Sequence, residues 1–582
     1  MEHVERFWTT LIDNVVFLMV MVPLVGACLV VAVSGFRTES IRRTALTNVV
    51  LTLALAALMV IHYDPDKRSS LGHPELFQMV SENLFWLGSR TAASTTNGGP
   101  EEEIAGLRVR IALGVDGISL WLVALTALLT YAAVLASWKT DLQRPAAFYS
   151  LILVIQSGLI GVFSALDVVL FYVFLEFTLV PLLFLIGLWG GYCRRSIVKS
   201  FVIYNLTGSL LILFGLLAMV VANSWIRAGP SAPLQQLTTS IPEILRGIPK
   251  LADDRELAHG YWDSARSWIF LTLLAGIAIK VPLPPFHSWF PSANRESPIA
   301  VRILLAGVVL KLGCYTCVRL VIPVFPQVCL SACGFVSTVI VIGIVYSALL
   351  ALVQDDPINL VSYTCVSHMG FCLLALFSLN SVGVTGGLLQ LINHGLSVAA
   401  LFCLLDIIFQ RKGIKSRDAD QVSITITPLT SLFLMFIVFS LVGVPGLNGF
   451  VSELLIFLGI FRADSRLAIW GLLAALLLVW AFLGMLYQIF SGQTAEFGSN
   501  AFRSPRKYFR ASSTRSAKPD PSASLNPPNI QVPVADPTLC QLAVLVPLTI
   551  LIVWIGVYPQ FILDRLGPSV SNVLRVYNQV SL

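Results

Sequence analysis

The chain has 582 residues, 56% of them apolar and only 12% charged, with a mean hydropathy of +0.81. That composition excludes a water-soluble core wrapped in polar surface and makes the lipid bilayer the solvent for most of the chain. The net charge of +6 is explained by sidedness across a membrane and does not call for a nucleic-acid partner.

A spanning helix needs roughly 20 predominantly apolar residues to cross about 30 Å of hydrocarbon. Runs of that kind recur at 12–35, 45–62, 111–137, 146–164, 167–189, 198–222, 267–290, 299–321, 333–353, 358–379, 384–410, 427–459, 467–491 and 539–562, about 14 in all. The fold class expected is therefore an all-α polytopic membrane protein. The first run follows Glu2, Glu5 and Arg6 with no small-residue cleavage signature, which predicts a retained helix and not a signal peptide.

Basic residues gather in alternate connections. They are Arg37, Arg42 and Arg43; Lys139 and Arg144; Arg194, Arg195 and Lys199; Arg411, Lys412, Lys415 and Arg417; and finally Arg503, Arg506, Lys507, Arg510, Arg515 and Lys518. The positive-inside rule places these loops in the cytoplasm and, with an even helix count, both termini outside. The connection at 354–357, Gln-Asp-Asp-Pro, falls on the cytoplasmic side without a basic residue.

Two runs are interrupted in similar fashion, one by Val281-Pro-Leu-Pro-Pro-Phe-His287 and the other by Gly443-Val-Pro-Gly-Leu-Asn-Gly449. Proline removes a backbone donor and clashes with the preceding turn, so each segment is predicted to be a broken helix. Both stand fourth in successive five-helix groups, which an odd helix number would insert in opposite senses. Matching broken helices in two inverted halves point to an ion or substrate path. The organisation that follows is 1–110, helices 1–2 and an outward loop; 111–145, helix 3; 146–321, a first five-helix repeat; 322–491, a second, inverted repeat; 492–538, a flexible cytoplasmic loop rich in Ser, Pro, Arg and Lys; and 539–582, helix 14 and a tail.

Six ionisable residues lie inside these runs: Glu176, Lys280, Lys311, His368, His394 and Glu453. A charge at mid-membrane costs a few kcal/mol even on the generous insertion scale, so each calls for a partner or a function. Burial disfavours a charged lysine while a nearby carboxylate restores it, and histidine passes protons through either nitrogen, so the set suits a proton relay. Asp167 and Arg302 stand near span ends, where an interfacial position is the simpler expectation, and Asp406 is left open between the two. Trp289 is expected to be an interface anchor. The ten cysteines imply no disulfide framework. Cys314, Cys317, Cys329 and Cys333 have zinc-like spacing but sit in apolar surroundings that predict packing.

These residues occur in recognisable motifs: Gly114-Val-Asp-Gly-Ile-Ser-Leu120, Phe171-Tyr-Val-Phe-Leu-Glu176, Lys280-Val-Pro with Phe286-His287, Leu304-Leu-Ala-Gly before Leu310-Lys311, Ser367-His-Met-Gly370, His394-Gly-Leu-Ser397 and Gly446-Leu-Asn-Gly-Phe-Val-Ser-Glu453. Over about 110–490 the chain resembles the antiporter-like subunits of proton-pumping NADH:quinone oxidoreductase, respiratory complex I. It is most similar to the M or mitochondrial subunit 4 type, because Glu453 occupies a slot where the L and N types usually carry lysine. The resemblance implies that Glu176 pairs with Lys280, Lys311 is the central relay, His368 and His394 bridge, and Glu453 is the distal residue, with transfer driven by quinone reduction elsewhere in the complex. It also implies no cofactor, metal or redox centre in this chain, partners among neighbouring antiporter-like membrane-arm subunits, and a multi-pass place in a bacterial inner membrane. Asn294, where the family commonly has histidine, and Ile358-Asn359, where it has Lys-Arg, are departures. The competing readings are a subunit of a multisubunit cation/proton antiporter and a membrane subunit of a hydrogenase or carbon-uptake assembly.

Overall fold

With lipid as solvent, backbone N–H and C=O groups must be satisfied within their own segment, so long apolar runs become helices. The computed structural model describes residues 12, 14–35, 37–66, 77–87, 109–140, 142–228, 237–245, 261–410, 424–491, 532–533 and 536–580. In chain order its helices are α1 (Val15–Ala32), α2 (Thr38–His62), α3 (Gly117–Ala136), α4 (Pro145–Ser164), α5 (Val168–Trp189), α6 (Arg194–Ala228), α7 (Tyr261–Lys280), α8 (Trp289–Glu296) and α9 (Ile299–Val321). They continue as α10 (Pro326–Leu352), α11 (Pro357–Leu376), α12 (Ser381–Gln410), α13 (Pro428–Leu441), α14 (Asn448–Ala463), α15 (Ser465–Ser491), α16 (Leu539–Val557) and α17 (Gln560–Val580).

Twelve described helices are long and apolar enough to cross a membrane. The seventh and twelfth expected spans are not among them, because each is split: α7 and α8 flank residues 281–288, and α13 and α14 flank residues 442–447. In the second break Gly443 and Gly446 adopt φ of 76° and 91°, a left-handed backbone that side-chain-bearing residues rarely tolerate. In the first, Trp289 is 2% exposed and donates its indole N–H to the Ile279 carbonyl at 3.1 Å. The expectation of an interface anchor is thus corrected: the break frees a carbonyl in the interior, and the indole satisfies it.

Two further expectations change. The run 111–137 is not one helix, since Val109–Val115 (β2) pairs antiparallel with Gln78–Leu87 (β1). The helix starts only after Asp116, whose carboxylate accepts from Ser119 N at 2.9 Å while the Ser119 hydroxyl accepts from Asp116 N at 2.9 Å. A strand partner some thirty residues upstream is not visible in a local apolar run. The run 539–562 stops at Val557, and α17 follows as an amphipathic helix with Ile562, Leu566, Val570, Leu574 and Tyr577 buried. Of the expected loop 492–538, Val532–Pro533 pairs in parallel with Ile424–Thr425. Apart from these two residues and 536–538, that loop lies outside the described residues.

Connections meet on one face as the charge pattern requires. Arg42 donates to Thr140 O at 2.9 Å, Trp189 to Gln143 O at 2.7 Å and Gly191 N to Glu296 O at 2.9 Å. Arg295 pairs with Asp356 at 3.1 Å, so the acidic connection at 354–357 takes its basic partner from the α8–α9 junction. Asp167, expected at an interface, is 2% exposed and caps α5, accepting from Val169 N at 2.8 Å and from the Thr239 hydroxyl at 2.5 Å.

Candidate functional site

The site is built around α9, which is not a uniform helix. Leu305–Val309 and Cys317–Val321 are π turns, and Lys311–Thr316 is the α-helical segment between them. Lys311 is 0% exposed; its ammonium donates to the Ala306 carbonyl at 2.5 Å and stands 3.1 Å from Nδ1 of His394 on α12. An ammonium only donates, so in this geometry the His394 Nδ1 accepts. The two helices approach closely here because a Cβ on Gly395 would lie 2.8 Å from the Gly307 carbonyl oxygen.

From His394 the path turns to α11. The His394 and His368 rings lie 5.3 Å apart between centroids. His368 Nδ1 sits 2.8 Å from the Thr364 carbonyl, which can only accept, so Nδ1 carries the proton and Nε2 faces Glu453 Oε1 at 3.7 Å. The Glu453 carboxylate rests against the break between α13 and α14, where a Cβ on Gly443 would come within 2.4 Å of Oε2. A small cavity, part of it open to the surface, is bounded by His368, Gln390 and Glu453 together with Phe371, Leu441 and Phe457.

Glu176 and Lys280 form a second group. Glu176 is partly buried on α5 beside exposed Val173, Phe177 and Val180, with Tyr172 one turn earlier, and its Oε1 has no partner among the described residues. Lys280 is 7% exposed and ends α7, where the carbonyl end of the helix favours a cation. No direct ion pair joins Glu176 and Lys280 among the described residues. A Cβ on Gly313 would lie 3.3 Å from Lys280 Cβ, which brings the end of α7 against α9 two residues beyond Lys311. The structure thus places Lys311, His394, His368 and Glu453 in one row, with Lys280 packed beside it, while Glu176 stands on α5 without a direct contact to that row among the described residues.

The departures are also resolved in space. Asn294 is 0% exposed and donates to the Ser362 hydroxyl at 2.8 Å, while its own carbonyl accepts from Arg302 Nε at 3.0 Å. Ile358 takes its place at the start of α11 through its N–H, which donates to the Asp356 carboxylate at 3.0 Å. Arg302, expected at the interface, is tied inward: it also donates to Arg295 O at 3.1 Å and lies 4.0 Å from Asp406. One buried ion pair escaped sequence reasoning. Arg319 holds Asp116 through two bonds of 2.6 and 3.0 Å, with side chains 7% and 5% exposed. The signal was Asp116 in the Gly114-Val-Asp-Gly motif, but a cation near a span end gave no hint of its partner on another helix. Cys314, Cys317 and Cys329 are buried core side chains.

Residues 165–480 match the family model described as NADH:quinone oxidoreductase/Mrp antiporter, transmembrane. The chain is 29% identical over 573 residues to NADH-quinone oxidoreductase subunit M of Rhodobacter capsulatus, covering 97% of each. Its fold is similar to a chain of respiratory complex I from Thermus thermophilus with bound NADH, with a TM-score of 0.71, 23% identity and 96% and 99% of the two chains covered. It is similar to the same degree, TM-score 0.71 at 20% identity, to a chain of the Mrp complex from Dietzia sp. DQ12-45-1b, with 98% and 99% covered.

Proposed function

Because the chain belongs to the NADH:quinone oxidoreductase/Mrp antiporter transmembrane family, we propose that it is the M-type, proton-translocating membrane-arm subunit of an NADH:quinone oxidoreductase. One observation carries this reading: the unbroken row of Lys311, His394, His368 and Glu453 through the helical interior. Lys311 touches His394 directly, the two imidazole rings are neighbours and the His368–Glu453 gap is one that a water can bridge, which is what proton hopping in a low-dielectric medium needs.

In this mechanism Glu176 and Lys280 form the input pair. Quinone reduction elsewhere in the complex alters their separation, and a change in the field of the carboxylate loads or unloads the lysine. Lys311 passes its proton to His394 Nδ1, to which it already donates, and the imidazoles hand it to Glu453. The breaks after Lys280 and before Glu453 belong to inverted five-helix repeats, 146–321 and 322–491, which with the interrupted segments make fourteen crossings. The chain itself carries no redox centre and works beside other antiporter-like subunits, as a multi-pass protein of a bacterial inner membrane.

The fold does not separate this reading from a cation/proton antiporter subunit, since both solved relatives match equally well. Sequence favours the oxidoreductase, because the relatives found along nearly the whole chain carry that name. Purified complexes with Lys280→Ala or Glu176→Gln test the proposal. Assembly is expected to persist while most coupled proton movement is lost; pumping at wild-type stoichiometry in either would end it.

A further inference from the structure

Beside the relay, α12 and α14 are joined by a row of uncharged side chains that the mechanism above does not use. Asn393 donates to the Asn448 carbonyl at 2.8 Å and to the Ser452 hydroxyl at 3.0 Å, and that hydroxyl donates onward to Gln390 Oε1 at 2.5 Å. Ser440, at the end of α13, donates to Asn448 Oδ1 at 2.5 Å and lies 2.6 Å from the Ser397 hydroxyl. All of these side chains are at most 3% exposed. The row therefore clamps both halves of the broken helix onto α12.

Gln390 is the member that reaches the relay. It stands one turn before His394 and so shares its face of α12. Ser452 occupies its carbonyl oxygen, which fixes the orientation of the amide and leaves the two N–H donors of Nε2 with no protein acceptor among the described residues. The amide bounds the same cavity as His368 and Glu453, and the cavity has room for water. The 3.7 Å between His368 Nε2 and Glu453 Oε1 is too long for a hydrogen bond, so the carboxylate needs something else to aim it.

We propose that Gln390 is the positioning residue of the last transfer: its N–H groups, oriented by Ser452, hold the Glu453 carboxylate through one water in the cavity they share, facing His368 Nε2. In that step doubly protonated His368 gives its Nε2 proton to the carboxylate, leaving a neutral imidazole and a carboxylic acid. The proposal rests on the relay reading of the preceding section.

The test uses the whole complex in liposomes and reads proton translocation together with the infrared C=O stretch of protonated Glu453. Gln390→Leu is expected to slow translocation roughly tenfold, the worth of one hydrogen bond to a charged group, and to move the Glu453 band to higher wavenumber. Gln390→Asn, shorter but still an amide, should fall between Gln390→Leu and wild type. If Gln390→Leu does not assemble, Ser452→Ala frees the amide from its tether and should give the same band shift with a smaller loss. A wild-type rate with an unmoved band, in Gln390→Leu or failing that in Ser452→Ala, overturns the assignment. Glu453→Gln separates the two levels: if it translocates normally the relay reading itself fails, and if it is impaired while Gln390→Leu is not, only Gln390 is misassigned.

Discussion

Lys311 Nζ and His394 Nδ1 stand 3.1 Å apart across the interface of α9 and α12, and two glycines set that distance. Gly307 lies in the π turn that presents the Ala306 carbonyl to the ammonium, and Gly395 follows His394 directly. Neither glycine is titratable, yet both decide whether a proton can pass between two groups that are.

Gly395→Ala should therefore mimic loss of the histidine without touching it. Its Cβ would meet the Gly307 carbonyl oxygen and Leu125 Cδ2, both at 2.8 Å, and the helices must move apart. Overpacking of this kind costs about 1–3 kcal/mol, which a large complex can absorb. The expected outcome is an assembled complex whose proton translocation falls roughly tenfold. Gly334→Ala, where the added carbon meets nothing within 4 Å, is the matched control and should translocate normally in the same liposome assay.

Gly443→Ala should strike the far end of the row. A methyl group there would lie 2.4 Å from Glu453 Oε2, and the position has φ of 76°. Strain of roughly 1–3 kcal/mol follows from the backbone alone, and the carboxylate must leave its place opposite His368. Translocation is expected to drop about as far as in Glu453→Gln, measured side by side in one preparation.

Trp289→Phe is expected to affect stability before transport. The ring would still fill the space between α7 and α8, but the Ile279 carbonyl would lose the indole donor at 3.1 Å. Leaving one buried acceptor unsatisfied costs about 1–3 kcal/mol. Thermal unfolding of the detergent-solubilised complex should begin at a lower temperature, and addition of a stabilising lipid should not fully restore it.

The Asp116 and Arg319 pair offers a sharper contrast. Arg319→Leu leaves a buried carboxylate without its cation and should cost about 3–5 kcal/mol, enough to reduce the amount of assembled complex. Combining Arg319→Met with Asp116→Asn removes both charges while asparagine keeps the cap on α3, so most of the lost yield should return. Equal yields from single and double variants would show that the pair is not the source of the loss.

The sequence by itself determined the membrane class, nearly all helix positions, both breaks and six ionisable residues within the spans, of which Lys280, Lys311, His368 and His394 are buried and Glu176 and Glu453 partly so. These are local properties: apolar length, proline chemistry, and the cost of a charge in lipid act within one segment, whatever its neighbours do. The span 299–321 was legible to the residue for this reason. Only the tertiary structure decided which of those residues meet. That Lys311 faces His394, 83 residues on, and that Glu453 lies against Gly443 and Trp289 turns inward to Ile279, each across a break in its helix, depend on close approaches that no single segment displays. Uncharged groups such as Gln390 and Ser452 carry no penalty large enough to mark them along the chain. They acquire meaning only when packing removes water and leaves each polar atom to find a partner among its neighbours.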